Sequence, residues 1–218
     1  VRGIVIVLAA VLIAGALLAG MLASQRRALF DPALSRDDYP CSWPGADHSG
    51  PLDPEFDSWF GGPLRRADEP SLFRKSNART SATTIRFTFL PSSSAPIVVR
   101  IDDVYGPQPR LTAFRDEGQV KPSAGSKQTR VLASSEVAPL RAALASTDIL
   151  TLEPDSCLSG PDGVIYLIEV AGPDGYRFIN RWGVTEGPVY DLANQMYLLT
   201  GWANGPQGPD RQDARLRN

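Results

Sequence analysis

The chain has 218 residues, with 22 Lys or Arg against 24 Asp or Glu and a formal net charge of -2. That balance argues against a nucleic-acid partner, which would want a basic excess. Two cysteines and one histidine, with no CxxC or Cys/His spacing, give no support to a metal site, and no motif calls for a cofactor.

The first element is Gly3 to Ala23, GIVIVLAAVLIAGALLAGMLA, which carries no charge. As a helix it spans roughly 31 Å, about the thickness of a bilayer's hydrocarbon core. It is apolar all round, whereas a core helix of this length normally shows a polar face. Residues 1–24 are therefore expected to form a transmembrane signal anchor. A cleaved secretory peptide is the alternative, but Met21-Leu22-Ala23 places a large residue at the -3 position, and the run exceeds the roughly 7–15 residues of a signal-peptide core.

Orientation carries opposing signals. Arg26, Arg27 and Arg36 follow the segment and only Arg2 precedes it, so flanking charge points the rest of the chain to the cytoplasm. Long domains translocate largely regardless of such charge. Cys41 and Cys157 lie in Pro/Gly/Ser-rich segments, and loop cysteines in an exported domain suggest a disulfide; two separate thiols are the alternative. Only three basic residues are Lys (Lys75, Lys121, Lys127), and Ala, Gly and Pro abound, which reads as GC-rich bacterial coding bias. The expectation is a bacterial inner-membrane protein with an extracytoplasmic domain, or, if cleaved, a periplasmic one.

Residues 25–83 read as a juxtamembrane linker with a short docking helix near 53–60. Asp53 can cap it, Pro54 suits its first position, and Leu52, Phe56, Trp59 and Phe60 recur at helical spacing before Gly61-Gly62 stops it. Residues 66–83 are polar and weakly patterned.

Residues 84–202 read as the folded domain. Thr84 to Leu90 alternates strictly, Ile97 to Ile101 alternates again, and Pro91 and Pro96 bound the two strands. Arg110 to Arg115 is a weaker strand, 116–127 a Gly/Lys/Ser-rich loop, and Thr129 to Leu132 a short fourth strand. Ser134 or Ser135 can cap a helix to Ser146, with Val137, Leu140 and Leu144 as its buried stripe. Val164 to Val170, apolar apart from Glu169, suggests a central strand. Ala171-Gly172-Pro173-Asp174-Gly175 turns it into Tyr176 to Trp182. A five-residue loop would set Glu169 opposite Arg177 as a cross-strand pair and Val164 opposite Trp182, with Gly163 and Gly175 as turn glycines. Pro188 opens a last helix to Thr200, and 203–218 reads as a disordered tail. The order predicts an α+β fold: an antiparallel sheet with two helices packed on one face.

Candidate chemistry is sparse. His48 sits in a linker-like run, unsuited to the rigid geometry of a Ser–His–Asp site. Asp102, Asp103, Glu169 and Glu186 could cleave glycosides only if the fold spaced them as a pair. Gly160-Pro161-Asp162-Gly163 and Gly172-Pro173-Asp174-Gly175 lack phosphate-loop spacing and read as turns.

Asp162-Gly163, Glu169, Gly175-Tyr176, Arg181-Trp182 and Gly187 follow the order D-G…E…G-Y…R-W…G. With Ile85-Arg86-Phe87, Leu90-Pro91 and Pro96 to Ile101 upstream, residues 84–201 resemble a family of uncharacterised exported or membrane-anchored bacterial proteins. That group often carries an aromatic residue at the second strand position of the hairpin and a histidine after the glycine-tyrosine pair. Here those places hold Ile165 or Tyr166, and Arg177 or Phe178. The resemblance implies a location and no activity.

The functional expectation is a membrane-anchored envelope protein with a non-catalytic binding or scaffolding domain, without catalytic residues, and with an envelope protein as partner. Trp59, Phe60 and Trp202 are its candidate contact residues, an inhibitor-like role included. The alternative is an envelope hydrolase acting on glycan or peptide through carboxylates. Oligomeric state is not readable.

Overall fold

The computed structural model describes residues 28–35, 54–78, 81–92, 94–116, 125–146, 149, 151–154 and 163–202. Gly3–Ala23, Cys41, His48, Cys157 and the 203–218 tail lie outside them. Among the described residues, no helix is long and apolar enough to cross a membrane.

The elements run α1 (Pro54–Arg66), α2 (Leu72–Asn77), β1 (Thr84–Pro91), β2 (Ile97–Asp102), β3 (Arg110–Asp116), β4 (Gly125–Val131), α3 (Ser134–Ser146), β5 (Val164–Gly172), β6 (Gly175–Trp182) and α4 (Pro188–Leu198). The strands form one antiparallel six-stranded sheet in the order β4-β3-β2-β1-β5-β6, so the fold is α+β. Hydrophobic alternation sends Ile85, Phe87 and Phe89 of β1 to one face, where Val99, Ile101, Tyr166 and Ile168 join them. Helices α3 and α4 close that face with Val137, Leu140, Val189, Leu192 and Met196.

The other face is covered too. Leu90, Val98, Phe114, Ile165, Leu167 and Phe178 pack there against Phe60, Leu64 and Ala67 from the α1 region and against Leu29 and Phe30. Strand β5 is buried along its whole length because helices or chain lie on both sides of it. The sequence suggested a docking helix near 53–60 but no second layer, since residues 66–83 carry too little apolar periodicity to be read as one.

Three local differences have physical causes. Helix α1 runs through Gly61-Gly62 and Pro63 to Arg66. Its end is a Schellman turn: Glu69 N–H donates to Leu64 O (2.9 Å) and Asp68 N–H to Arg65 O (3.2 Å), with Asp68 at φ 55° in the left-handed position usually given to glycine. Helix α3 starts at Ser134, where the Glu136 carboxylate reaches back to the Ala133 N–H (2.7 Å), half of a capping box. The β5–β6 hairpin closes through two residues, Pro173 and Asp174, rather than the expected five-residue loop. Gly172 faces Gly175, which places Val170 opposite Arg177 and Glu169 opposite Phe178. Glu169 and Arg177 therefore do not form the expected cross-strand pair, because a one-residue slip sends them to opposite faces.

Candidate functional site

On the face covered by α1 and α2, the sheet carries a row of charge where a core would normally be apolar. Register sets Arg86 of β1 between Arg100 of β2 and Glu169 of β5. Two arginines side by side need carboxylates to offset them, and the covering chain supplies one. The Schellman turn at Asp68 delivers Glu69 over the sheet, where its Oε2 accepts from Arg100 Nη1 at 2.6 Å and lies 3.6 Å from Arg86 Nη1. The next carbonyl, Pro70 O, accepts from Arg86 Nη1 (2.7 Å). Arg86 Nε and Nη2 lie 2.7 and 2.6 Å from Glu169 Oε2, and the Tyr176 hydroxyl donates to the other oxygen, Oε1 (2.8 Å).

The row continues to the sheet's end. Lys75 of α2 donates to Asp102 Oδ1 (2.7 Å) and Thr84 Oγ1 (2.6 Å), while Arg100 Nε donates to Asp102 Oδ2 (3.0 Å). Ser71 caps α2 by accepting from the Arg74 N–H (3.2 Å) and donates its own hydroxyl to Leu29 O (2.8 Å). The network thus joins residues 29, 69–75, 84–102 and 169–176.

Burial decides what this network can do. The Arg86 side chain is 0% exposed and that of Glu169 1%. Burial opposes the charge on Arg86, but Glu169 and Glu69 outweigh it and raise the guanidinium's pKa, so it stays protonated. Burial, reinforced by Glu169, raises the Tyr176 hydroxyl well above its ordinary value and keeps it a neutral donor. At Asp102 burial would raise the carboxyl, but Lys75 and Arg100 prevail and hold it below the usual carboxylate range. Each of these carboxylates is thus ion-paired and hydrogen-bonded to a fixed partner. A general acid or base needs a partly free lone pair facing substrate, which these geometries do not offer.

The four candidate carboxylates do not converge. Asp102 and Glu169 share the charged face, while Glu186 lies in the exposed loop that enters α4, the helix of the opposite face. Asp103 is in the turn after β2 with φ 55°. Among the described residues, no group of three or more His, Cys, Asp or Glu is placed to hold a metal ion.

The candidate contact residues separate as well. Phe60 is buried in the core beside Leu64, because it sits on the inward stripe of α1. Trp59, its neighbour, is 46% exposed, with its ring 5.6 Å from that of Phe60. Trp202 is half-buried on the far face, under the Arg115 guanidinium (4.8 Å) and against Tyr197. Gly163 and Trp182 do meet: a Cβ on Gly163 would lie 2.7 Å from Trp182 Nε1, so only glycine lets the indole lie across the start of β5. Gly175 has φ +102° and opens β6.

A recess of about 150 Å³ opens at one end of the sheet, lined by Thr83, Tyr105, Leu144, Ile149, Val170 and the β5–β6 turn at Gly172, Pro173 and Asp174. Its floor is apolar and its one carboxylate, Asp174, is at the rim. Such a space holds one side chain or a very small ligand, below the roughly 300–1,000 Å³ of ordinary ligand sites. The sequence pointed to Asp102 and Glu169 but missed Glu69, Lys75, Arg86 and Arg100 as their partners. A signal existed for the two arginines: each sits alone within an apolar alternating strand, on the face where Thr84 and Thr88 also point. No protein-family model matches this chain, and no curated protein or solved structure matches it either.

Proposed function

We propose that this chain is a membrane-anchored bacterial envelope protein whose α+β domain binds or scaffolds and does not catalyse. In this reading Gly3–Ala23 is the anchor and the domain is extracytoplasmic. The observation that carries the non-catalytic part is the commitment of Asp102 and Glu169 to ion pairs inside a sheet covered on both faces. A hydrolytic pair would need two carboxyl groups about 5–10 Å apart across an open groove. The anchor rests on the uncharged 21-residue length of Gly3–Ala23, and the extracytoplasmic side on Cys41 and Cys157 in loop-like sequence. The resemblance of residues 84–201 to exported or membrane-anchored proteins supports the same placement.

The coverage of the second face fits a tether. Leu29 bonds to Ser71, and Glu69 and Lys75 bond to the sheet, before the chain enters β1, so load on the membrane side reaches the domain through Ser71, Glu69 and Lys75. The test has two arms. Alkaline phosphatase fused at the C-terminus should be active, whereas fluorescence of a cytoplasm-only reporter at that position overturns the orientation. Crosslinking in intact membranes should then give discrete adducts of the domain. Turnover of an envelope glycan or peptide that is lost in a folded Glu169→Gln variant would replace the binding reading with the hydrolase.

A further inference from the structure

The two edges of the sheet are not alike. At the β6 edge, Asn180 N–H donates to Pro154 O, and Arg181 donates to the Glu153 and Pro154 carbonyls, so residues 153–154 lie along that edge. At the other edge, β4 pairs with β3 alone among the described residues. The direction of its free groups follows from the register. Leu132 N–H donates to Pro109 O (2.8 Å), continuing the β3–β4 ladder by one pair. Antiparallel pairs alternate between bonded and non-bonded. Residues 126, 128 and 130 therefore bond to β3, and the N–H and C=O groups of Lys127, Thr129 and Val131 point outward. The side chains of these three residues are exposed.

An open edge is usually blunted by a lysine, a proline or a bulge. Strand β4 has no proline, and its lysine is turned away: Lys127 Nζ donates to Ala67 O (2.8 Å) at the end of α1. Charge selects the occupant. Among the described residues, Arg66, Arg110, Arg115, Lys127 and Arg130 lie on or beside β3 and β4 with three carboxylates, Asp116, Glu136 and, opposite Arg110, Asp102, a local cationic excess in a chain whose total charge is negative. A second copy would bring this excess against itself.

We propose that the outer edge of β4 accepts an extended acidic peptide segment as a seventh strand, by main-chain pairing with Lys127, Thr129 and Val131. The inference rests on the reading of the domain as a binding module. Val131, 49% exposed, offers an apolar contact to the added strand, and the exposed Arg110 opposite it a cation.

The test uses the full chain in detergent micelles and two nine-residue capped peptides, one alternating glutamate with valine or threonine, the other with lysine in place of glutamate. The glutamate peptide should bind at least about tenfold more tightly, weaken with added salt, and slow amide exchange at 127, 129 and 131. Thr129→Pro removes one outward N–H and leaves the β3 ladder whole, so it should lose about tenfold in affinity. If that variant does not fold, a peptide N-methylated on its edge-facing amides makes the same test with the unaltered chain. Equal binding of both peptides, unchanged exchange at 127–131, or concentration-dependent protection there without peptide overturns the proposal, the last making a second copy the occupant. Membrane crosslinks mapped to another surface would leave the binding reading intact and remove only this edge.

Discussion

Replacing Arg86 by methionine tests whether the charged row holds the two layers together. Arg86 has no exposed side-chain surface, and its guanidinium touches Glu169 at 2.6 and 2.7 Å and Pro70 O at 2.7 Å. Its loss leaves Glu169 buried with the Tyr176 hydroxyl as its one remaining partner among those described above. Glu69 keeps Arg100, so the damage centres on Glu169. Removing one member of a buried pair costs about 3–5 kcal/mol, because the other charge stays desolvated and unpaired. At roughly 2–4 °C per kcal/mol for a domain of this size, the melting temperature should fall by about 10 °C. The assay is urea unfolding of the full chain in micelles, followed by tryptophan fluorescence with m-values compared. The triple variant Arg86→Met/Glu169→Leu/Tyr176→Phe removes the charges and the stranded hydroxyl together, and it should regain at least half of the loss. A cost under about 1 kcal/mol for Arg86→Met, or a triple variant no better than the single one, refutes the argument from burial.

Thr88 Oγ1 is buried without a hydrogen-bond partner among the described residues, so Thr88→Val should stabilise the fold by about 1 kcal/mol; a lower urea midpoint would mean that the hydroxyl is satisfied. Gly163→Ala forces Trp182 to move and should cost about 1–3 kcal/mol with a change in emission, whereas Gly175→Ala meets nothing within 4 Å and should show only its left-handed strain, about 1–2 kcal/mol. Asp102 has a depressed pKa in the folded state, so its contribution is present above the unfolded value of about 3.9 and is lost as pH falls through the lower folded value. Asp102→Asn should therefore flatten the acid limb of the stability profile, and an unchanged limb would show that Lys75 and Arg100 do not hold the carboxylate.

Strand positions from Thr84 onward were legible because side-chain direction repeats every two residues, and alternating Ile85, Phe87, Phe89 or Ile97, Val99, Ile101 has no other economical reading. Helices α3 and α4 were legible for the same reason at a longer period. The hairpin failed by one residue because Gly172 and Gly175 can close the loop at two lengths, and apolar partners exist in either register. The charged row was hidden for a different reason. Its members come from 69–75, 84–102 and 169–176, and each looks locally like something ordinary: Glu69 one residue of a polar, weakly patterned stretch, Arg86 a polar position of an alternating strand, Glu169 half of a hairpin ion pair. What joins them is Asp68, a non-glycine residue in the left-handed turn, which ends α1 four residues beyond the Gly61-Gly62 stop and aims Glu69 inward. One unexpected cap thus turns a segment read as linker into the second layer of the domain. It makes the charge of Arg86 and Arg100 affordable in a buried place, and it directs the sequence between membrane and sheet into the fold rather than past it.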